Sequence, residues 1–204
     1  LPAMLEAGWG RIVNVASTSG VAGNWNQGAY VASKHAMVGL TRSIALDYAK
    51  HGVRASWFVA MGPDRTGRAV ARAFRQPGFL AKMLRSRAPS MYPLSTMLRG
   101  TLLPSVPIVA SQPDRLREID AAGHEVGVHG FDHVRWHDAL ARLTLDEVRA
   151  QLGPATDLFA SVVGRRPDGF AAPGWQCTGN SLRVVDELGY RFRSDTRGTR
   201  PYRP

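Results

Sequence analysis

Gly123-His-Glu-Val-Gly-Val-His129-Gly-Phe-Asp-His133 is the stretch on which the fold turns. Residues 125–129 alternate as a buried strand does, and they follow a helical pattern over 114–122 that stops at Gly123. The same order recurs downstream. Residues 143–163 read as a helix that Gly153-Pro154 would break or kink, 168–172 as a strand, 180–188 as a helix ended by Gly189, and 190–194 as a last strand. Upstream, 11–15 (Arg-Ile-Val-Asn-Val) is a β-branched run and 16–28 a loop rich in Gly, Ser, Asn and Thr. Ala32, Ala36, Val38, Leu40, Ile44, Ala45 and Tyr48 then recur at helical spacing over 29–50, His51-Gly52 stops them, and 53–61 is another strand. Residues 62–107 read as irregular. Strand and helix alternate throughout, which predicts an α/β fold with parallel strands.

A chain of 204 residues suits one medium domain and cannot hold two complete enzymes. Its opening, without an initiator Met and with the composition of a helix tail, reads as cut from something larger. No run reaches the roughly 20 apolar residues of a spanning helix. The single cysteine, Cys177, excludes a disulfide framework and a cysteine-based zinc cluster; with no secretory pattern at the start, a cytoplasmic location is expected. The net charge of +10 comes from 26 cationic residues, of which only Lys34, Lys50 and Lys82 are lysine.

Ser17, in the loop after the first strand, precedes Tyr30-Val-Ala-Ser-Lys34 at the head of a helix. Four residues apart, Tyr30 and Lys34 share a helical face, and an ammonium beside a phenol lowers the phenol's pKa toward proton-transfer range. With the Asn-Val-Ala-Ser strand end and Gly39-Leu-Thr41 in order, residues 1 to about 54 resemble the short-chain dehydrogenase/reductase family. The resemblance implies Tyr30 as acid/base, Lys34 as its support and as a binder of the NAD(P) ribose, and Ser17 as the group orienting substrate. No glycine-rich turn for the dinucleotide phosphates precedes the block, so these residues are expected to be vestigial, a strand and a helix within a scaffold.

His129 and His133 place two imidazoles four residues apart directly after an apolar strand. That spacing lets both reach one divalent ion if the strand runs into a helical turn, and it equally suits a polar surface pair. Asp132 between them reads as exposed or as a helix cap. Phe58-Val-Ala-Met-Gly-Pro-Asp64, Lys82-Met-Leu-Arg-Ser86, the 123–129 stretch, Ala171-Ala-Pro-Gly-Trp175 and Ser194-Asp-Thr-Arg-Gly-Thr199 follow in order. Together they resemble the polysaccharide deacetylase superfamily, most of all its deformylase branch, over roughly 51–204. The resemblance implies a partial (β/α) barrel and metal-dependent hydrolysis of an N-acyl group from a lipid-linked amino sugar. His129 and His133 would hold a divalent metal, Zn or similar, and Arg166 and Asp195 would position the catalytic groups.

Two departures bear on chemistry. The family's first strand carries an Asp-x-Asp element, one carboxylate serving as base and the other as third ligand; here that place is held by the dehydrogenase-like piece, whose only acids are Glu6 and Asp47. The family also uses a late His beyond the last strand seen here. The expected architecture is therefore a deacetylase-type domain over 53–204, truncated at both ends, with a strand-helix unit of Rossmann origin over 1–52 that is not an independent domain. The 11–15 strand and the Tyr30 helix would replace the missing first strand and helix, pairing the 11–15 strand with that of 53–59 and offering Asn14, Ser17 and Ser19 where carboxylates belong.

Between residues 72 and 103, Arg72, Arg75, Lys82, Arg85, Arg87 and Arg99 interleave with Phe, Leu, Met and Tyr, without acids. Such a stretch suits an anionic membrane surface, peripheral to the inner membrane, or an insertion folded back on its own barrel. Its aliphatic and sulfur side chains argue against nucleic acid. The function expected is a deacylase impaired by the missing Asp-x-Asp element; the alternatives are an NAD(P)-dependent oxidoreductase and a catalytically silent hybrid.

Overall fold

The computed structural model describes residues 1–14, 20, 28–71, 94–121 and 124–195. It forms two compact units, one built from residues 1–57, 63–106 and 122–125, the other from 58–62, 107–121 and 126–204.

In the first unit, β1 (Gly10–Asn14) pairs in parallel with β2 (Val53–Val59), Gly10 opposite Val53 and Asn14 opposite Trp57, so the expected pairing is present. Helix α1 (Gly28–Tyr48) joins them and buries Val38 and Thr41, three residues apart on one face. Thr41 Oγ1 accepts from Asn14 Nδ2 at 2.8 Å and donates to the Met37 carbonyl at 2.7 Å. After one 3-10 turn, Ala49–His51, Gly52 takes φ +75, and a Cβ there would collide with the Gly8 carbonyl oxygen. Only glycine serves at that corner. The span read as irregular holds two short helices, Thr66–Ala71 and Leu94–Leu98. Their flanks are tied by Asp64, which accepts from Thr66 and binds Arg99 Nη1 at 2.9 Å.

The second unit carries the end of β2, then β3 (Glu125–Val128), β4 (Gly169–Ala171) and β5 (Phe192–Ser194), parallel and in that order. Beyond β3 the ladder continues: His129 N donates to the Val59 carbonyl and Met61 N to that of Gly130. Helices α2 (Pro113–Ala121), α3 (His133–Ala139), α4 (Leu145–Val163) and α5 (Gly179–Glu187) alternate with the strands. In α4, Val148, Gln151, Leu152, Ala155, Thr156 and Phe159 are all buried, a stripe at three and four that fixes which face packs inward. A capping box between Thr144 and Glu147 starts this helix, worth about 1 kcal/mol. The helix runs unbroken through Pro154, so the break is not seen: Pro154 is exposed, and the carbonyl it leaves without a donor can meet water. Phe170 stacks between Trp136 and Tyr190, at 5.7 and 5.6 Å between ring centroids. The Tyr190 hydroxyl lies 2.7 Å from Thr156 Oγ1, and burial pushes its pKa up to about 12.

Helix α3 is the element the periodicity did not announce. At seven residues it is too short for an apolar pattern to repeat.

Candidate functional site

The carboxyl ends of β3, β4 and β5 lie side by side, with Val128 opposite Phe170 and Ala171 opposite Ser194. In parallel α/β sheets this is the end at which sites gather. His129 stands at the end of β3, and its Nδ1 is 2.8 Å from the Ala171 carbonyl oxygen. A carbonyl only accepts, so Nδ1 carries the proton and the neutral ring keeps Nε2 as its lone-pair nitrogen. Burial pushes the ring's pKa down; the Ala171 bond partly restores it and the field of His137 lowers it again. His129 is thus held neutral, with its tautomer fixed.

His133 opens α3. Asp132, buried at 3% exposure, accepts from Arg135 N at 2.9 Å and caps the helix. It is a cap, as one of its two sequence readings had it, and it is not exposed. The rings of His129 and His133 lie 5.2 Å apart between centroids, tilted by 50°. One helical turn further, His137 lies 5.5 Å from His133. This third imidazole went unremarked in the sequence, although the repeat of four from 129 through 133 to 137 was legible. The turn Pro173–Trp175 packs against it: Gly174 has φ +63, and a Cβ there would strike His137 Nε2. Trp175 follows with φ +54, the sole positive value on a non-glycine residue among those described, and is 40% exposed.

Asp195 directly follows β5 and is 5% exposed, with neither carboxylate oxygen hydrogen-bonded among the described residues. Burial pushes its pKa up to about 6; Arg193 opposes that rise and Asp186 adds to it. The guanidinium at its side is that of Arg193, Nε 3.5 Å from Oδ2, which also binds Asp186 at 2.7 Å. Arg193 escaped the sequence reading because no motif singles it out. Arg166 is exposed on the connection after α4, and its charge acts on Tyr190. Cys177 is half-buried, its pKa raised by burial and then by the charge of Asp195.

On α1, Lys34 Nζ lies 5.6 Å from the centroid of the Tyr30 ring, so the two share a face as their spacing predicts. Ser17 and Ser19 lie outside the described residues, as do Lys82-Met-Leu-Arg-Ser86, Thr196 to Thr199 and most of the basic stretch over 72–103.

The imidazoles fit a divalent cation in part. A ring nitrogen donating to a main-chain carbonyl while its partner nitrogen stays bare is how proteins prepare a histidine ligand. Among the described residues, no group of three His, Cys, Asp or Glu side chains is arranged to hold an ion.

The family profile described as polysaccharide deacetylase matches residues 41–193, and the profile described as short chain dehydrogenase matches residues 1–73. A protein of Shewanella sediminis named as a 4-deoxy-4-formamido-L-arabinose-phosphoundecaprenol deformylase is 36% identical over 151 residues, 74% of this chain and 49% of its own length. The 2,5-dichloro-2,5-cyclohexadiene-1,4-diol dehydrogenase of Sphingobium indicum is 55% identical over 58 residues, 28% of this chain and 23% of its own. The D-beta-hydroxybutyrate dehydrogenase of Cupriavidus necator is 50% identical over 56 residues, again 28% of this chain and 22% of its own. The chain therefore spans about half the length of the deformylase and under a quarter of these two dehydrogenases. Among solved structures, the chitin deacetylase of Colletotrichum lindemuthianum is 26% identical, with a TM-score of 0.36 over 41% of this chain and 35% of its own.

Proposed function

The chain belongs to the polysaccharide deacetylase family, and from that premise we propose that it is a metal-dependent, deformylase-like deacylase acting on a lipid-linked amino sugar. The observation that carries the reading is the His129 ring, half-buried, neutral and locked by Ala171, with the His133 ring 5.2 Å away. These two side chains would hold a divalent cation such as zinc. When bound, such an ion polarises an acyl carbonyl and makes an attacking water more acidic. The remaining work falls to the protein. Asp195, with a pKa near 6, can hold or release a proton at neutral pH, and Arg193 steadies its charged form; the role expected of Arg166, to position the catalytic groups, remains part of this reading. The deformylase-like relative is named for a phosphoundecaprenol-linked sugar, which supports a lipid-linked substrate here.

Without the Asp-x-Asp carboxylates, the base and one ligand are missing, so turnover is slow relative to an intact family member. We read the chain as a hybrid in which a dehydrogenase-type strand and helix stand in for the family's first strand and helix. Deacylase activity is tested by titrating zinc into metal-free protein and assaying formate release from a formamido sugar. Wild type is expected to take up zinc and release formate slowly, with both abolished in His129→Ala. Zinc uptake untouched by that substitution would overturn the reading.

One observation favours a second reading, the Lys34 ammonium near the Tyr30 ring, as an NAD(P)-dependent oxidoreductase requires. Quenching of tryptophan fluorescence by NAD(P)H, lost in Lys34→Ala, would support it. A chain that takes up neither metal nor nucleotide is a silent hybrid.

We also place the protein in the cytoplasm, against the inner face of the membrane. No helix among the described residues is long and apolar enough to cross a membrane. Leu94 and Leu102, at the described end of the basic stretch, are 66% and 80% exposed, and a surface both apolar and cationic adsorbs to anionic lipid. In liposome flotation the protein is expected to rise with vesicles containing phosphatidylglycerol and to stay behind with neutral ones; equal behaviour with both would remove the membrane from the account.

A further inference from the structure

We propose that Asp186, at the end of helix α5, is a positioning residue for Asp195: it holds the Arg193 guanidinium at a stand-off from that carboxylate and so sets how readily Asp195 exchanges its proton. The inference deepens the deacylase reading, on which Asp195 works as acid and base, and gives a role to a residue that no motif singles out.

Strand register and helix packing bring the three charges together. Arg193 lies in β5 and Asp195 directly follows it; two residues apart, their side chains leave an extended chain on the same side. Asp186 reaches them from α5, the helix that precedes β5. Its Oδ1 accepts from Arg193 Nη1 at 2.7 Å, while Arg193 Nε stands 3.5 Å from Asp195 Oδ2. The guanidinium is a rigid planar fork, so anchoring one arm fixes where the other points. The second arm attracts the carboxylate without making a hydrogen bond to it, and both Asp195 oxygens are buried with no such bond among the described residues.

The placement of Asp186 runs against the helix it belongs to. The carboxyl end of a helix favours cations, yet α5 ends Asp186-Glu187 with no basic residue in its last turn. Glu187 is neutralised by Arg149 and Arg183, at 2.8 and 3.0 Å, and Asp186 by Arg193. A local rule broken beside a buried carboxyl points to function.

Three groups face Asp195 among the described residues. Arg193 on its own strand favours its charged form, Asp186 on α5 disfavours it, and the Cys177 thiol, on the connection ahead of α5, feels its charge. That thiol's pKa is raised, so it stays neutral and adds no charge. The neighbouring β4 brings only Gly169, Phe170 and Ala171. Removing the Asp186 charge therefore makes two changes of one sign. A nearby negative charge disappears, and Arg193 is freed to close on Asp195 in a direct hydrogen bond. Each change favours the ionised carboxylate.

The experiment reads Asp195 itself, by carboxyl carbon NMR on the full chain with isotope-labelled aspartate, its resonance assigned by loss in Asp195→Asn. The wild-type titration midpoint is expected near the pKa of about 6. Asp186→Asn is expected to lower it by about one unit, the low end of what a contacting cation does to a carboxylate, and Asp186→Glu to restore most of it. Arg193→Gln should raise it. The decisive comparison is Asp186→Asn in the Arg193→Gln background, where a residue acting through Arg193 loses its effect. A midpoint unmoved by Asp186→Asn, or moved equally with and without Arg193, overturns the proposal. Asp186 is exposed, so its variants are expected to fold; should Arg193→Gln unfold, as circular dichroism would show, the contrast between Asp186→Asn and Asp186→Glu still decides. The acid limb of formate release should move with the midpoint. If the midpoint moves as described while wild type releases no formate at any pH, the deacylase reading falls and the positioning role stands.

Discussion

Asp195→Asn is expected to make the folded chain more stable at pH 7.5 while suppressing deacylation. The carboxyl is buried, is held off its ordinary pKa of 3.8 to about 6, and lacks a hydrogen-bond partner among the described residues. Because the folded value is the higher one, the folded chain binds its proton more tightly than the unfolded chain does. The advantage this gives is complete below about pH 3.8 and is lost as pH rises through 6. Above pH 6 the folded state carries an ionised group in a poor environment, at a cost of about 3 kcal/mol for a shift of roughly two units. Asparagine removes the charge and with it the pH dependence, although Arg193 then loses one of its two carboxylate partners. Urea denaturation of both proteins at pH 4, 5.5 and 7.5 measures the effect: the variant's advantage should grow with pH by one to three kcal/mol, on the order of the shift itself. A variant less stable than wild type at pH 7.5 would show that Arg193 compensates the carboxylate fully. A charge retained at a cost to folding is the mark of a working group, which is why lost turnover should accompany gained stability.

Trp136→Ala is expected to cost about 3 to 5 kcal/mol, the range for truncating a fully buried large side chain. Trp136 is 1% exposed, stacks on Phe170 at 5.7 Å and donates from Nε1 to the Gln176 carbonyl at 3.2 Å. It lies between His133 and His137 on a helix of only seven residues, which a cap and this one anchor hold in place. The same substitution should therefore weaken zinc binding without touching a ligand. Trp136→Phe keeps most of the buried ring and forfeits the hydrogen bond, so it should lose about 1 kcal/mol. Denaturant midpoints and zinc titration on both variants test this; an alanine variant that loses under 1 kcal/mol, or binds zinc as wild type does, contradicts it.

Much of the α/β plan was legible because its signals are local and repeated. Helix α4 shows both its Thr144 start and its buried stripe in sequence, and β3 shows its alternation. Helix α3 offered only Asp132 as a cap and Trp136 as an apolar contact, too little to raise a period above background. The likeness to deacetylases pointed to His129 and His133, while His137 repeats their spacing but stood outside that likeness, and a histidine four residues on is common by chance. Arg193 and its place beside Asp195 depend on strand register and on helix α5, and neither can be read from neighbours in the chain. Pro154 does not end the helix, because its side of the helix faces water, which the chain neighbours alone do not show.

The five-residue register between Gly10–Asn14 and Val53–Val59 has a wider implication. Parallel ladders are knit from amide and carbonyl groups that every residue but proline supplies alike, so an edge strand can be exchanged between unrelated ancestors without rewriting its neighbour. The barrier to such grafting is steric, concentrated where main chains nearly touch, as at Gly52 against Gly8. On the hybrid reading proposed above, recombination that conserves one glycine corner and the length of the intervening helix would transplant architecture intact and leave the chemistry behind.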